Sequence, residues 1–221
     1  MTLRALRPLL PMPVRFARVT QMIDGTVLMG AGIALLVHAR LGLLPLDVFH
    51  SAVARHTGWT IGGAFVATQM VFLVLYVPLG IRWGAGTITA ALVPALVCDV
   101  LATKLPPVEH LLVRAGFLLI GAAAFALGAA AYLGAGLGAL PRDGVMAEIA
   151  RRRRTSLAPV RVTFDVASLL LGVGAIGPAT AVQLGVLGPA SVVLALLLGP
   201  SISHLLPYFT RSAPEPEPRL A

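Results

Sequence analysis

The sequence predicts an all-α polytopic membrane protein with six transmembrane helices. These form two inverted three-helix repeats, each carrying a short GxxPxD helix. Three observations carry this reading. The 221 residues are 57% hydrophobic and only 12% charged, against roughly a quarter charged in soluble domains. Six apolar runs are long enough to cross a bilayer. A shift of 96 residues lays the chain on itself. The mean hydropathy of +0.90 excludes a soluble fold, which cannot hide so much apolar side chain, and it excludes disorder. A net charge of +8 alone would suit a nucleic-acid binder, but the oiliness would not.

Residues 1–19 carry Arg4, Arg7, Arg15 and Arg18 and are broken by Pro8, Pro11 and Pro13. They read as a basic cytoplasmic segment. The apolar run behind them is too long for the core of a secretory signal and reads as a retained first helix. About 20 apolar residues span the hydrocarbon, which places spans at roughly 20–39, 60–80, 86–104, 111–134, 157–176 and 184–206. The first three form one repeat, 20–104, and the last three a second, 111–208. Residues 45–56 and 141–154 are too short or too polar to span, and read as short interfacial or re-entrant helices. Residues 209–221 are Pro-rich and polar, and read as a disordered tail. The chain holds 23 Gly and 17 Pro. In a bilayer small residues let helices approach closely, and Gly25, Gly30, Gly32, Gly121 and Gly128 are expected to do so. The lone Cys98 permits no intramolecular disulfide.

Charge sets the orientation. With a cytoplasmic N-terminus, the inside loops and termini carry 12 of the 17 basic residues: Arg4, Arg7, Arg15, Arg18, Arg82, Arg142, Arg151 to Arg154, Arg211 and Arg219. The outside loops carry three, Arg40, Arg55 and Lys104. Positive residues concentrate inside, so both termini are expected in the cytoplasm of a bacterium, with the chain in its inner membrane. The run Arg151, Arg152, Arg153 and Arg154 reads as a topology anchor touching anionic lipid headgroups.

The shift of 96 superposes Leu41-Gly42-Leu43-Leu44-Pro45-Leu46-Asp47 on Leu137-Gly138-Ala139-Leu140-Pro141-Arg142-Asp143. Over residues 39–55, eight of 17 positions are identical. Three spans per half is an odd number, so the halves must insert with opposite orientation, as in many secondary transporters. Pro45 and Pro141 suit a first helical position. Asp47 and Asp143 then fall in the first turn, where a carboxylate can cap free N–H groups and suits the dipole. Gly42 and Gly138 allow a tight approach. Alternatively, these helix N-termini line a substrate entrance.

The repeated GxxPxD is followed by Thr57-Gly58-Trp59-Thr60-Ile61-Gly62, Pro78-Leu79-Gly80 and Gly84-Ala85-Gly86-Thr87. With these residues, the stretch of roughly 20–208 resembles the YczE/YitT-like bacterial integral membrane proteins. The second half departs by placing Arg152-Arg153-Arg154 where Gly58 would fall. The resemblance implies a cytoplasmic-membrane protein, often described as a transporter, without a catalytic motif.

Ionisable groups inside a membrane are expensive and need a reason. Asp99 sits in the third span, about 20 Å along it at 1.5 Å per residue. Arg161 and Asp165, four apart, share a helix face. Under the shift Asp165 meets Gln69, so both halves place a polar side chain at one depth. Asp99, Gln69, Arg161 and Asp165 are thus the candidate intramembrane polar site. His38, His50 and His56 do not cluster, so no metal and no cofactor is expected. No GxSxG, HExxH or P-loop pattern occurs, and an enzyme is not expected. The reading is a small secondary transporter or permease for a small molecule or ion. The alternative is a non-transporting accessory or scaffold that assembles with a membrane protein partner or as a homo-oligomer. Nucleic acid is not an expected partner.

Overall fold

The computed structural model describes residues 14–210, and among these it is all-helical. Most of the basic N-terminal segment and of the Pro-rich tail lie outside the described residues. The first half runs α1 (Val14–Ala39), α2 (Pro45–Thr57), α3 (Ile61–Leu79) and α4 (Ala85–Ala102). The second runs α5 (Leu111–Gly134), α6 (Pro141–Arg153), α7 (Leu157–Ile176), α8 (Pro178–Gln183) and α9 (Pro189–Phe209). Six of these are long and apolar enough to cross a membrane: α1, α3, α4, α5, α7 and α9. Their outward faces carry Val74, Val77, Leu96, Leu112, Leu170 and Leu196, as lipid contact requires. Trp59, Trp83 and Tyr208 stand exposed near span ends, where aromatic side chains favour the interface.

Two boundaries differ from the sequence expectation. Helix α1 starts at Val14 rather than 20 and so takes in Arg15 and Arg18. Helix α9 starts at Pro189 rather than 184, because Gly185 turns at φ +69° and α8 fills part of the connection. Pro189 then opens α9 at a first helical position,.

Helices α1 and α5 pack antiparallel through glycines. A Cβ on Gly25 would stand 2.8 Å from the Gly128 carbonyl, and one on Gly32 would stand 2.7 Å from the Gly121 carbonyl. The backbones touch where side chains would hold them apart. Arg114 of α5 donates to the Ala39 carbonyl at 2.8 Å and to the Arg40 carbonyl, closing the C-terminus of α1.

Each GxxPxD loop sits on the start of the last long helix of the other half. Gly86 N–H donates to the Leu137 carbonyl at 2.9 Å, and Ala190 N–H donates to the Leu41 carbonyl at 3.3 Å. Gly42 (φ +126°) and Gly138 (φ +124°) make these loops possible, since L side chains avoid that region. A Cβ would also drive Gly42 onto Ser191 N and Gly138 onto Thr87 Oγ1. Thr87 and Ser191 accept from the N–H of Gly84 and Gly188 at 3.3 Å each, so α4 and α9 start alike. The motif helices cross between halves as well. Gly172 of α7 leaves room for the α2 backbone at Phe49, and Gly144 of α6 leaves room for the Tyr76 ring of α3. The apolar core lies at this junction, on Met29, Ile33, Leu36, Val48, Phe65, Tyr132 and Leu194 among others.

Candidate functional site

Pro141 starts α6 at its first helical position,, and Arg142 and Asp143 follow it in the first turn. Arg142 is only 13% exposed at its side chain, although the sequence counts its charge among the cytoplasmic basic residues. Its backbone N–H donates to Gln69 Oε1 at 3.3 Å, and Gln69 is completely buried on α3. Its Nη1 donates to Asp165 Oδ1 at 3.3 Å, and its Nε faces Asp143 Oδ1 at 3.6 Å. On the far side of Asp165, Arg161 Nε stands 3.8 Å from Oδ2. Asp143 Oδ2 accepts from the Tyr132 hydroxyl at 2.9 Å. Arg142 therefore ties Gln69 and Asp165 together.

The first half contributes less charge. Asp47 Oδ1 pairs with His50 Nδ1 at 3.0 Å, and the His50 side chain is wholly buried. The ring meets Phe65 edge-on, with centroids 5.3 Å apart. The N-cap residues of α2 and α6 are Leu44 and Leu140, which make no side-chain cap hydrogen bond. Asp47 and Asp143 are the residues expected to cap these helices. Both stand in the first turn, where the dipole favours them, but their oxygens serve His50 and Tyr132 instead.

Between the two motif helices lies a cavity of about 70 Å³. Its walls are Met29, Ile33, Phe65, Phe125, Ala129 and Ile202, with Asp47, Tyr132, Arg142, Asp143 and Arg161 as its polar surface. Met29 and Phe125 come from the middle of α1 and α5, so the cavity lies well inside the helix bundle.

Asp99 is not part of this set. Its Oδ2 accepts from Thr60 Oγ1 at 2.7 Å and its Oδ1 from Gly62 N–H at 2.9 Å. It binds α4 to the start of α3, where Gly62 has no room for a Cβ against the Ala95 carbonyl. The arginine run also divides. Arg151 and Arg152 both donate to Glu148, at 2.6–2.7 Å, and Arg152 donates to the Leu79 carbonyl at the end of α3. These bonds hold the Glu148 carboxyl down to about 2. Arg153 and Arg154 stand exposed.

Sequence reasoning missed Arg142, Tyr132 and His50 as site residues. His50 carried a usable signal, standing three residues after Asp47 and so on the same helix face. Tyr132 carried another, as a phenol in a run of small apolar residues whose hydroxyl needs a partner. Arg142 carried only the shift, which matches it with Leu46.

The chain belongs to the family described as "Family of unknown function (DUF6198)", which matches residues 16–207. It is 33% identical over 158 residues to an uncharacterized protein of Haemophilus influenzae, covering 70% of this chain and 72% of that one. No solved structure matches it.

Proposed function

We propose that this member of a family of unknown function is a small secondary transporter whose substrate site is the cavity between the motif helices. The observation that carries the reading is charge at that place. Asp47, Arg142, Asp143 and Arg161 all line one cavity inside an apolar bundle, and ionisable groups inside a membrane mark substrate and ion pathways.

We further read the chain as two inverted repeats. Paired contacts support this: Gly25 on Gly128 matches Gly32 on Gly121, and the Gly86–Leu137 bond matches the Ala190–Leu41 bond. Sites between such repeats suit alternating access. With Arg142 drawn into the bundle, 11 basic residues on the inside against three on the outside support both termini in the cytoplasm, in a bacterial inner membrane. The motif likeness to YczE/YitT-like membrane proteins agrees with this reading.

The test is flux. The purified protein goes into proteoliposomes, which are challenged with a panel of organic acids, amines, sugars and inorganic ions. The expected result is saturable entry of one solute class, lost in Asp165→Asn. A protein that moves nothing, and instead co-purifies stably with one membrane partner, would replace this reading with the accessory role.

A further inference from the structure

We infer that the Asp47–His50 pair on the first half's side of the cavity is a proton-binding site; that the proton is a coupling ion rests on the transporter reading. The inference starts from which acid has which cation. Asp165 has Arg142 at 3.3 Å and Arg161 at 3.8 Å. Asp143 has Arg142 at 3.6 Å and accepts from the Tyr132 hydroxyl. A guanidinium does not give up its proton in a protein, so these two acids face two fixed cations. Asp47 stands apart. It is 4% exposed, and its ion-pair partner is His50, at 3.0 Å. An imidazole is a cation only once it has taken a proton, and it is the side chain whose charge changes near neutral pH. Three acids against two arginines leave one negative charge inside an apolar bundle, and one proton on His50 removes it. Ionisable groups in such a place are costly and mark ion and proton pathways.

The ring has a place for that proton. An ionised carboxylate only accepts, so His50 Nδ1 carries its hydrogen toward Asp47 Oδ1, and Nε2 is the basic nitrogen. Nε2 is buried without a hydrogen-bond partner among the described residues. No donor occupies its lone pair, so one N–H bond forms there and none is broken, and the Nδ1–Oδ1 contact becomes an ion pair. The His50 side chain has no exposure of its own, whereas Asp47 lines the cavity and is the pair's contact with it. No third His, Cys, Asp or Glu joins the two among the described residues, which favours a proton over a metal ion. Helix α2 packs on α7 and α3. The first brings Arg161 and Asp165, the second Gln69 and Tyr76. Arg142, Asp143 and Tyr132 line the same cavity, Cys98 of α4 lies in the field of Asp47, and Arg55 and His56 stand in the last turn of α2 itself. The ion pairs of both cavity arginines go to Asp143 and Asp165, which leaves His50 as the cation for Asp47.

The test is histidine ring NMR on the full-length protein in detergent, titrated with pH. The chain has five histidines, and His50→Gln identifies the resonance that belongs to His50. The expected result is a single protonation step of that resonance in the folded protein. Asp47→Asn should move the step to lower pH, because the imidazolium then loses its countercharge, while size-exclusion profile and helix content stay native. If His50→Gln does not fold, the resonance that Asp47→Asn moves identifies His50 instead. A His50 ring that keeps one charge state wherever the protein is folded overturns the proton site. A titration in which Asp47→Asn moves no resonance overturns the pairing. Proteoliposome flux separates this site from the transporter reading. Titration of His50 without flux of any solute leaves the site standing and removes the transporter. Flux without titration does the reverse. Where both occur, flux should follow an imposed pH gradient and lose that dependence in His50→Gln; flux indifferent to the gradient removes the proton as coupling ion.

Discussion

Helix α2 starts at Pro45 and is closed by Gly58, while α6 starts at Pro141 and is closed by Arg154, each pair 96 residues apart. The backbones agree even where the residues do not. Gly58 and Arg154 both adopt the left-handed conformation, at φ +73° and +51°, and so do Arg40 and Gly136, at +50° and +66°. The side chains diverge at the cavity. Leu46 answers to Arg142, Phe65 to Arg161, Gln69 to Asp165 and Ala52 to Glu148. One scaffold thus carries a mostly apolar wall on one side and an ionic cluster on the other. Backbone geometry is set by glycines, prolines and cross-half hydrogen bonds. The chemistry is set by a handful of side chains that the scaffold leaves free to change.

The sharpest way to break this comparison is to remove the matched pair of residues in turn. Asp165→Leu leaves two guanidiniums without their shared acid and should cost about 3–5 kcal/mol, the loss typical of a broken buried pair. Gln69→Leu strands only the Arg142 N–H and should cost about 1–3 kcal/mol. Unfolding in mild detergent measures both, and equal losses would mean the halves are not chemically distinct.

A second test uses the glycines under the crossing helices. Gly144→Ala pushes on the Tyr76 side chain and Gly172→Ala pushes on the Phe49 backbone. Overpacking of this kind costs about 1–3 kcal/mol. Adding Tyr76→Leu should recover much of the first loss. No single side-chain change should recover the second, because backbone cannot be trimmed.

The helix ends should respond with opposite signs. Gly58→Ala places a Cβ at φ +73° and should destabilise by about 1 kcal/mol, while Arg154→Gly relieves a strained residue and should stabilise by up to about 1 kcal/mol. Denaturation midpoints that move in the same direction would contradict the shared conformation.

The smallest effect is a pH dependence confined to α6. The Glu148 carboxyl is lowered from 4.5 to about 2 by hydrogen bonds from Arg151 and Arg152. A lowered value in the folded state means the stabilisation is present above pH 4.5 and is lost as pH falls toward 2. Glu148→Gln should flatten the stability profile across that window. Both arginine partners are solvent-exposed, so screening keeps the change small. Ala52, the corresponding residue of α2, gives that helix no such dependence.

Much of the scaffold was legible because its signals are local. Proline at a first helical position fixed the starts of α2 and α6, and apolar run length located the spans to within a few residues. Helix α8 opens on Pro178 as α2 and α6 open on theirs, but its six residues are too short to show a helical period. The site was legible in part, and the reason lies in dimension. Arg161 and Asp165 were visible as a pair because both lie on one helix. Asp99 lies apart from that pair, and depth along α4 says nothing of Thr60 and Gly62, which reach it from the start of α3. Arg142 was counted as a loop cation because its segment is polar, and only the fold shows that its helix turns inward.

The packing of the first half also bears on the order in which the protein is made. Gly25 waits for Gly128, Gly42 for Ser191, and the α2 backbone at Phe49 for Gly172. Every one of these partners is synthesised later. The emerging first half must therefore rest in the bilayer with glycine seams open and its motif helix held only from the α3 side. Such a half is held together by the membrane before it is held together by protein, and a chain severed in the 103–110 connection keeps all the surfaces needed for its two pieces to find each other.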